Sequence, residues 1–243
     1  MESKHFNERF TEYLKDKNIK DQARHTSSGL ISPSKLAKPT LEAVLQLLGL
    51  QADPPSDQQL RFFLRGQSFE DIVTSAIAFG RPTNKLQVKA SYRGGIGYID
   101  QFDGVPHEIK SAGFWTWKSI TAESKPKLSH ACQGTFYALG TGTEYAWIHY
   151  INTDTFVIKS FKITTKEYQP ELDRRIDAIH DVLVRGVLPA FEPLETIHNN
   201  ILYSDYALFF NKGKDEVNRL LKEYYPEQYK LLKSKKLVKQ LKG

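Results

Sequence analysis

Cysteine is almost absent from this 243-residue sequence, and its single copy, Cys132, excludes an internal disulfide and any cysteine-rich zinc or iron–sulfur centre built from this chain alone. That scarcity fits a reducing, intracellular setting. No apolar run approaches the roughly 20 residues needed to cross a bilayer. The N-terminus mixes acids with bases, unlike a secretory or transit leader. The expectation is therefore a soluble, cytoplasmic protein with no membrane partner. The phosphate-gripping loop of nucleotide-driven motors is also missing: Gly213-Lys214-Asp215 lacks both the upstream glycine and the hydroxyl residue. No internal repeat is present, and no low-complexity segment exceeds a lysine-rich tail.

What is present is enough apolar material, 40% of residues with 12% aromatic, to pack one large domain. The formal charge of +6 suggests a polyanionic partner, but six lysines and no acid lie between Lys230 and Lys242, so the remainder sums to about zero. Charge alone thus supports nucleic-acid binding only through that tail or through local patches. The tail equally suits a solvated helix.

Along the chain, a polar helix is expected over Glu2 to Lys17, followed by a loop over Ser27 to Ser34 that is rich in serine and proline. A second helix is expected over Pro39 to Leu50. After the turn-rich Asp53 to Ser56, Phe69, Ile72, Val73, Ala76 and Ile77 recur at helical spacing, predicting a buried helix with Glu70 near its start. Strands are predicted at Leu86 to Tyr92, Ile96 to Phe102 and Pro106 to Ser111, separated by Gly94-Gly95 and Asp103-Gly104, as an antiparallel meander. A helix from Leu128 to Leu139 and strands from Tyr145 to Ile151 and Phe156 to Ile163 follow. The C-terminal third reads as helical, with Leu172, Ile176, Ile179 and Leu183 on one face. This order implies an α/β fold with a mixed central sheet flanked by helices. A single domain is expected over residues 1–243: an N-terminal helical portion (1–60), a core (61–163), and a C-terminal helical portion (164–243) with the lysine-rich tail.

An acid, any residue, then lysine occurs three times: Glu2-Ser3-Lys4, Glu108-Ile109-Lys110 and Glu123-Ser124-Lys125. Only the second lies in a strand-like segment with a branched apolar residue between its charges. Alternation then puts Glu108 and Lys110 on one face and Ile109 in the core. Pairing Phe102 with Pro106 would set Asp100 opposite Glu108, with Lys110 on the same face. Two facing carboxylates with few donors suit a hard divalent cation such as Mg²⁺. The alternative is a surface hairpin in which Lys110 merely compensates two acids. Asp103 competes with Asp100, though the Asp-Gly turn accounts for it; His107 faces away from Glu108 and reads as structural.

These segments resemble the PD-(D/E)XK nucleases, and within them the RecB-type and lambda-exonuclease-like branch. The resemblance runs from about Ser32 to Tyr150. Gly66-Gln67-Ser68-Phe69-Glu70 looks like that family's glycine and helical acid, Gly97-Tyr98-Ile99-Asp100 like its aspartate strand, and Glu108-Ile109-Lys110 like its acid-x-lysine strand. Gln133-Gly134-Thr135-Phe136-Tyr137 matches the Gln-x-x-x-Tyr helix of the RecB-type branch, and Ser32-Pro33-Ser34-Lys35-Leu36 faintly resembles its entry motif.

The resemblance implies a restriction-endonuclease-like core and a Mg²⁺-dependent deoxyribonuclease, with Mn²⁺ able to substitute. Asp100, Glu108 and the Ile109 carbonyl would hold the metal, Lys110 would position or activate water, and Glu70 would support coordination. Gln133 and Tyr137, four apart on one helical face with His130 a turn earlier, would hold the DNA strand; packing at a core edge is the alternative for that pair. Lys125, Lys127 and Arg93 are further phosphate-contact candidates. The branch favours exonuclease action in DNA recombination, repair or replication, in a bacterial or phage-like setting, beside a separate helicase, strand-annealing or single-strand-binding partner. A structure-selective or restriction-type endonuclease and a silent nucleic-acid-binding protein are the rival readings. One departure is clear: many members of the branch carry four cysteines around an iron–sulfur cluster, which a single cysteine cannot build. Packing of Tyr203, Tyr206, Phe209 and Phe210 is expected to close that region instead.

Overall fold

The structure, a computed structural model, describes residues 3–24, 31–50, 55–79, 85–190, 206–209 and 211–242. Helices α1 (Ser3–Arg24), α2 (Pro33–Leu36), α3 (Thr40–Leu47) and α4 (Asp57–Ala78) precede strands β1 (Lys85–Tyr92), β2 (Gly95–Phe102) and β3 (Pro106–Ala112). Helices α5 (Phe114–Ala122) and α6 (Leu128–Thr141) then lead to β4 (Tyr145–Asn152), β5 (Ile158–Thr164) and the long α7 (Thr165–Arg185). The chain continues through α8 (Lys214–Tyr224), α9 (Pro226–Lys233) and α10 (Lys236–Lys242).

The five strands form one sheet in sequence order. β1, β2 and β3 are the expected meander, β3 and β4 run parallel, and β5 returns antiparallel. A parallel step needs a crossover, and α5 with α6 supplies it. The result is the mixed sheet flanked by helices that the order of elements implied. Alternation along β4 buries Ala146, Ile148 and Tyr150 while Tyr145, Trp147 and His149 face the other way. The large core joins α3, α7 and the C-terminal helices to the sheet and α6 through residues such as Leu45, Ile99, Phe136, Leu172, Ile176 and Leu221. Tyr206 and Phe209 are buried in it, and Tyr206 donates to the Leu50 carbonyl at 3.2 Å. The expected partners Tyr203 and Phe210 lie outside the described residues.

Four sequence expectations change. The loop expected over Ser27 to Ser34 gives way at Ser32, which caps α2, where Pro33 takes the first helical position and needs no donor; residues 27–30 lie outside the described residues. The helix carrying Glu70 starts at Asp57, so Glu70 is central in it rather than near its start. The start signal is a capping box between Ser56 and Gln59. On that helix Phe69 and Val73 pack against Ile109 and Ile151, but Ile72, expected in the core, is 51% exposed. Finally, α5 was not anticipated at all.

Candidate functional site

The β2–β3 hairpin builds the site by coming apart. Its ladder holds only at the loop end, where Gln101 pairs with His107 and Phe102 with Pro106. The register is the expected one, but the ladder stops there, and Asp100 and Glu108 do not form the next cross-strand pair. Instead Asp100 Oδ2 accepts the Ile109 backbone N–H at 2.9 Å, so a carboxylate stands where a strand carbonyl would be. On the other side of β2, the ladder to β1 skips the Gln87–Asp100 step, and Gln87 adopts φ 53°, a left-handed conformation that interrupts a regular strand. The backbone on both sides of Asp100 is thereby freed from regular pairing.

Beyond that point the acid-x-lysine strand behaves as alternation requires. Ile109 turns under α4, and Glu108 and Lys110 turn towards α6. Lys110 Nζ is in direct contact with Glu108 Oε1. The same oxygen accepts from Gln133 Nε2 at 2.7 Å, and that amide group also donates to Tyr137 Oη at 3.1 Å. The other Glu108 oxygen, Oε2, is buried and, with the carboxylate ionised, accepts no hydrogen bond among the described residues; a protonated Glu108 would donate to Asp100. Gly97 on β2 makes this closure possible, because a Cβ there would meet Pro33 Cγ at 2.6 Å and Tyr137 Cε1 at 2.8 Å.

Electrostatics mark the cluster as under-supplied with positive charge. Burial pushes Glu108 up to about 8; Lys110 opposes the rise, and Asp100 and Glu70 add to it. Burial and the neighbouring Asp100 push Glu70 up to about 7. Asp100 is also raised by burial, against the pull of Lys110, the Ile109 N–H and Glu108. Burial disfavours the Lys110 ammonium, but Glu108 and Asp100 outweigh it and hold the lysine protonated. One ammonium thus faces three carboxyls, all of them displaced towards neutrality. A bound cation would relieve that displacement.

The donor set fits a hard divalent ion. It offers carboxylate oxygens, including the unbonded Glu108 Oε2, and lacks thiolate or imidazole. Among the described residues no three acidic, histidine or cysteine side chains converge as a ready-made cage. The residues that would hold an ion here are Asp100 and Glu108, completed by water.

The remaining sequence candidates fall in three places. Gln133 and Tyr137 are buried against Glu108, so the amide is engaged with a carboxylate and the phenol is covered by β2. His130 sits behind them, 2.7 Å from Tyr150 Oη, and burial together with Lys110 and Lys127 keeps it neutral. Tyr150, absent from the sequence candidates, also accepts from the Lys127 backbone N–H at 3.1 Å. Lys127 reaches Thr116 Oγ1 at 3.2 Å, while exposed Lys125 pairs with Glu123 at 3.3 Å. Arg93 lies apart at the β1–β2 turn, bound to Asp173 at 2.9 Å and Asp177 at 2.6 Å on α7. Those aspartates occupy its guanidinium as a phosphate would.

On the opposite sheet face, Asp103 holds His107, which holds His149, which meets Ser160. The separations are 2.8, 2.9 and 2.7 Å. The Asp103 carboxylate accepts from His107 Nε2, which fixes that end of the chain. Asp103 is thus tied to His107, a partner that its turn position did not reveal.

No protein-family model matches the chain, and no curated protein matches it. Among solved structures it is similar to the crystal structure of SSO0001, with a TM-score of 0.56 and 13% identity over 84% of this chain and 98% of that one. An alkaline exonuclease, LHK-Exo from Laribacter hongkongensis, superposes at TM-score 0.47 with 17% identity, covering 62% of this chain and 86% of that one. Its complex with dAMP gives the same values. At these identities the likeness to SSO0001 concerns the fold alone.

Proposed function

We propose that this chain is a divalent-cation-dependent deoxyribonuclease of the PD-(D/E)XK type, hydrolysing DNA phosphodiester bonds with exonuclease action on ends. The observation that carries this reading is the pulled-apart hairpin. It gathers Asp100, Glu108 and Lys110 beside Glu70 of α4, and leaves Glu108 Oε2 buried with no hydrogen bond to accept among the described residues. A buried, unpaired carboxylate oxygen is costly in a protein that has no use for it. A bound Mg²⁺ would supply charge neutralisation at the phosphate and ease deprotonation of water.

The chain's own groups have separable roles. Asp100 and Glu108 provide the anionic seat, and the Ile109 N–H orients the Asp100 carboxylate. Lys110 orients a phosphate oxygen or the attacking water from the same face as Glu108. Gln133 holds the Glu108 carboxylate in one rotamer through Oε1. Work on DNA ends in recombination or repair, beside a helicase or a single-strand-binding or strand-annealing partner, is the cellular setting this reading favours.

The test is incubation of end-labelled linear DNA and closed circular DNA with the protein in Mg²⁺, Mn²⁺ or EDTA. Loss of linear DNA alone, abolished by EDTA and by Asp100→Asn or Lys110→Ala, is the expected result. Nicking of circles would reassign the action to an endonuclease. Cleavage by both variants at the wild-type rate would overturn the site.

A further inference from the structure

The strand that carries Glu108 and Lys110 runs directly into an exposed aromatic surface. β3 ends at Ala112, and Phe114 and Trp115 open α5 at 61% and 76% exposure, their rings 5.0 Å apart and nearly perpendicular. Large aromatics left this open on a soluble surface are uncommon unless they meet something. They are not isolated. Lys118, one turn along α5, places its ammonium 5.7 Å from the Trp115 ring centre. From α4, Arg65 reaches the same place: its Nη2 lies 3.6 Å from where a Cβ on Gly113 would stand, and its guanidinium covers the exposed Phe62 ring at 5.1 Å.

The charges on this surface are of one sign. Salt bridges elsewhere pair Lys38, Arg93, Arg174, Arg175, Arg185 and Arg219 with carboxylates, whereas Arg65 and Lys118 rest only against rings among the described residues. Cations held over aromatic faces keep their donors available to an anion. Alternating rings and unpaired cations form the surface that takes single-stranded nucleic acid: bases stack on the rings, and phosphates meet the ammonium and guanidinium groups. A paired duplex keeps its base faces covered by their neighbours and cannot use the rings in this way.

The position sets the consequence. Four residue steps of chain lead from Lys110 to Phe114, about 13 Å at roughly 3.3 Å per step. A strand engaged at the acidic cluster therefore needs only a short run of nucleotides to reach the aromatic surface. Resting on the nuclease reading above, we infer that Phe114, Trp115, Lys118 and Arg65 form a stacking platform for unpaired DNA. The surface makes a single-stranded segment adjoining the scissile phosphate the preferred substrate.

The experiment separates this inference from the reading it rests on. Binding of a fluorescein-labelled oligothymidylate dodecamer and of a blunt hairpin duplex is measured by anisotropy in EDTA, where cleavage does not interfere. The proteins are wild type, Trp115→Ala, Phe114→Ala and Lys118→Ala. Thermal melts confirm that each exposed substitution leaves the protein folded. The expected result is a loss of on the order of tenfold or more in dodecamer affinity for Trp115→Ala, with duplex affinity little changed. Lys118→Ala should reduce the salt dependence of dodecamer binding by about 0.7 in log–log slope. Equal dodecamer affinity for wild type and the two aromatic variants would overturn the platform, even if the wild type cleaves DNA. So would a wild type that ignores the oligonucleotide but self-associates through Trp115. Ring-dependent binding by a protein that cuts no DNA in Mg²⁺ would leave the platform standing and remove the nuclease reading instead.

Discussion

Two glycines close to the acidic cluster, Gly97 and Gly66, respond oppositely to the same added methyl group. At Gly97 a Cβ would lie 2.6 and 2.8 Å from the Pro33 ring and 2.8 Å from Tyr137 Cε1. Neither neighbour is the loose end of a flexible chain. Pro33 is fixed in α2 by its ring and by the Ser32 cap, and Tyr137 is 4% exposed within the core. Relief needs movement of α2 or α6 away from β2, and overpacking of this kind costs about 1–3 kcal/mol. For a chain of this size each kcal/mol moves the melting midpoint by about 2–4 °C, so Gly97→Ala should melt roughly 2–12 °C lower. At Gly66, inside α4, the nearest atom to an added Cβ is Ser111 Oγ at 3.6 Å, an ordinary contact. There Ala removes the backbone freedom of glycine in a helix interior and should stabilise by about 0.5–1 kcal/mol. Melting of the purified variants by circular dichroism reads both effects. Because displacement of α6 carries Gln133 with it, Gly97→Ala should also lose cleavage, while Gly66→Ala should keep it. A Gly97→Ala protein that melts with the wild type, or shifts in the same direction as Gly66→Ala, would refute the closure of α2 and α6 on β2.

Gln133→Ala should lower the affinity for activating Mg²⁺ by about 10–100-fold, because it releases the Glu108 carboxylate without removing it; a metal titration of cleavage reads this, and an unchanged midpoint would contradict it. Arg93→Ala should leave DNA binding unchanged and cost about 1 kcal/mol, since its partners on α7 are one exposed and one partly buried carboxylate; weakened oligonucleotide binding would restore it as a phosphate contact. Burial and the facing His107 hold His149 down to about 4, against the opposing pull of Asp103. An unfolded histidine titrates near 6.5. Below that pH the unfolded chain takes up the proton first, so stability present at pH 7 is lost as pH falls towards 4. Solvent screening of this partly exposed ring limits the loss to about 2 kcal/mol. Urea unfolding at pH 6.8 and 5.0 should therefore show a steeper loss for the wild type than for His149→Gln, and equal losses would count against the Asp103–His107–His149 chain.

Much of the frame was legible because its signals are periodic. β4 and α7 alternate or recur cleanly, and the ends of β3 and α6 fall within two residues of where turn residues placed them. The triplet at Glu108 could be separated from its two copies because only a strand puts its charged ends together. The start of α4 was hidden by exposed Phe62 and Phe63 and by Gly66, which disguise the first half of the helix, although Ser56 and Gln59 carried the capping signal. Ile72 misled because one apolar residue at helical spacing does not reveal which face is covered. The break in pairing at Asp100 was not legible. Simple counting assumes an unbroken ladder, whereas the left-handed Gln87 and the Ile109 N–H resolve that stretch locally. Nor could sequence decide that Gln133 would be buried against Glu108, a contact 25 residues away.

The bond from the Ile109 N–H to Asp100 gives one side chain two duties. The carboxylate fills a place in the sheet that main chain normally fills, so composition at position 100 controls both the cohesion of the two halves of the sheet and the charge offered to a ligand. Substitutions there sort by shape before they sort by charge. Asparagine keeps an oxygen for the Ile109 N–H and removes only the negative charge, whereas alanine also leaves that N–H orphaned in the interior. A loss of activity in Asp100→Ala is therefore not by itself evidence about chemistry, and the asparagine variant is the one that isolates it.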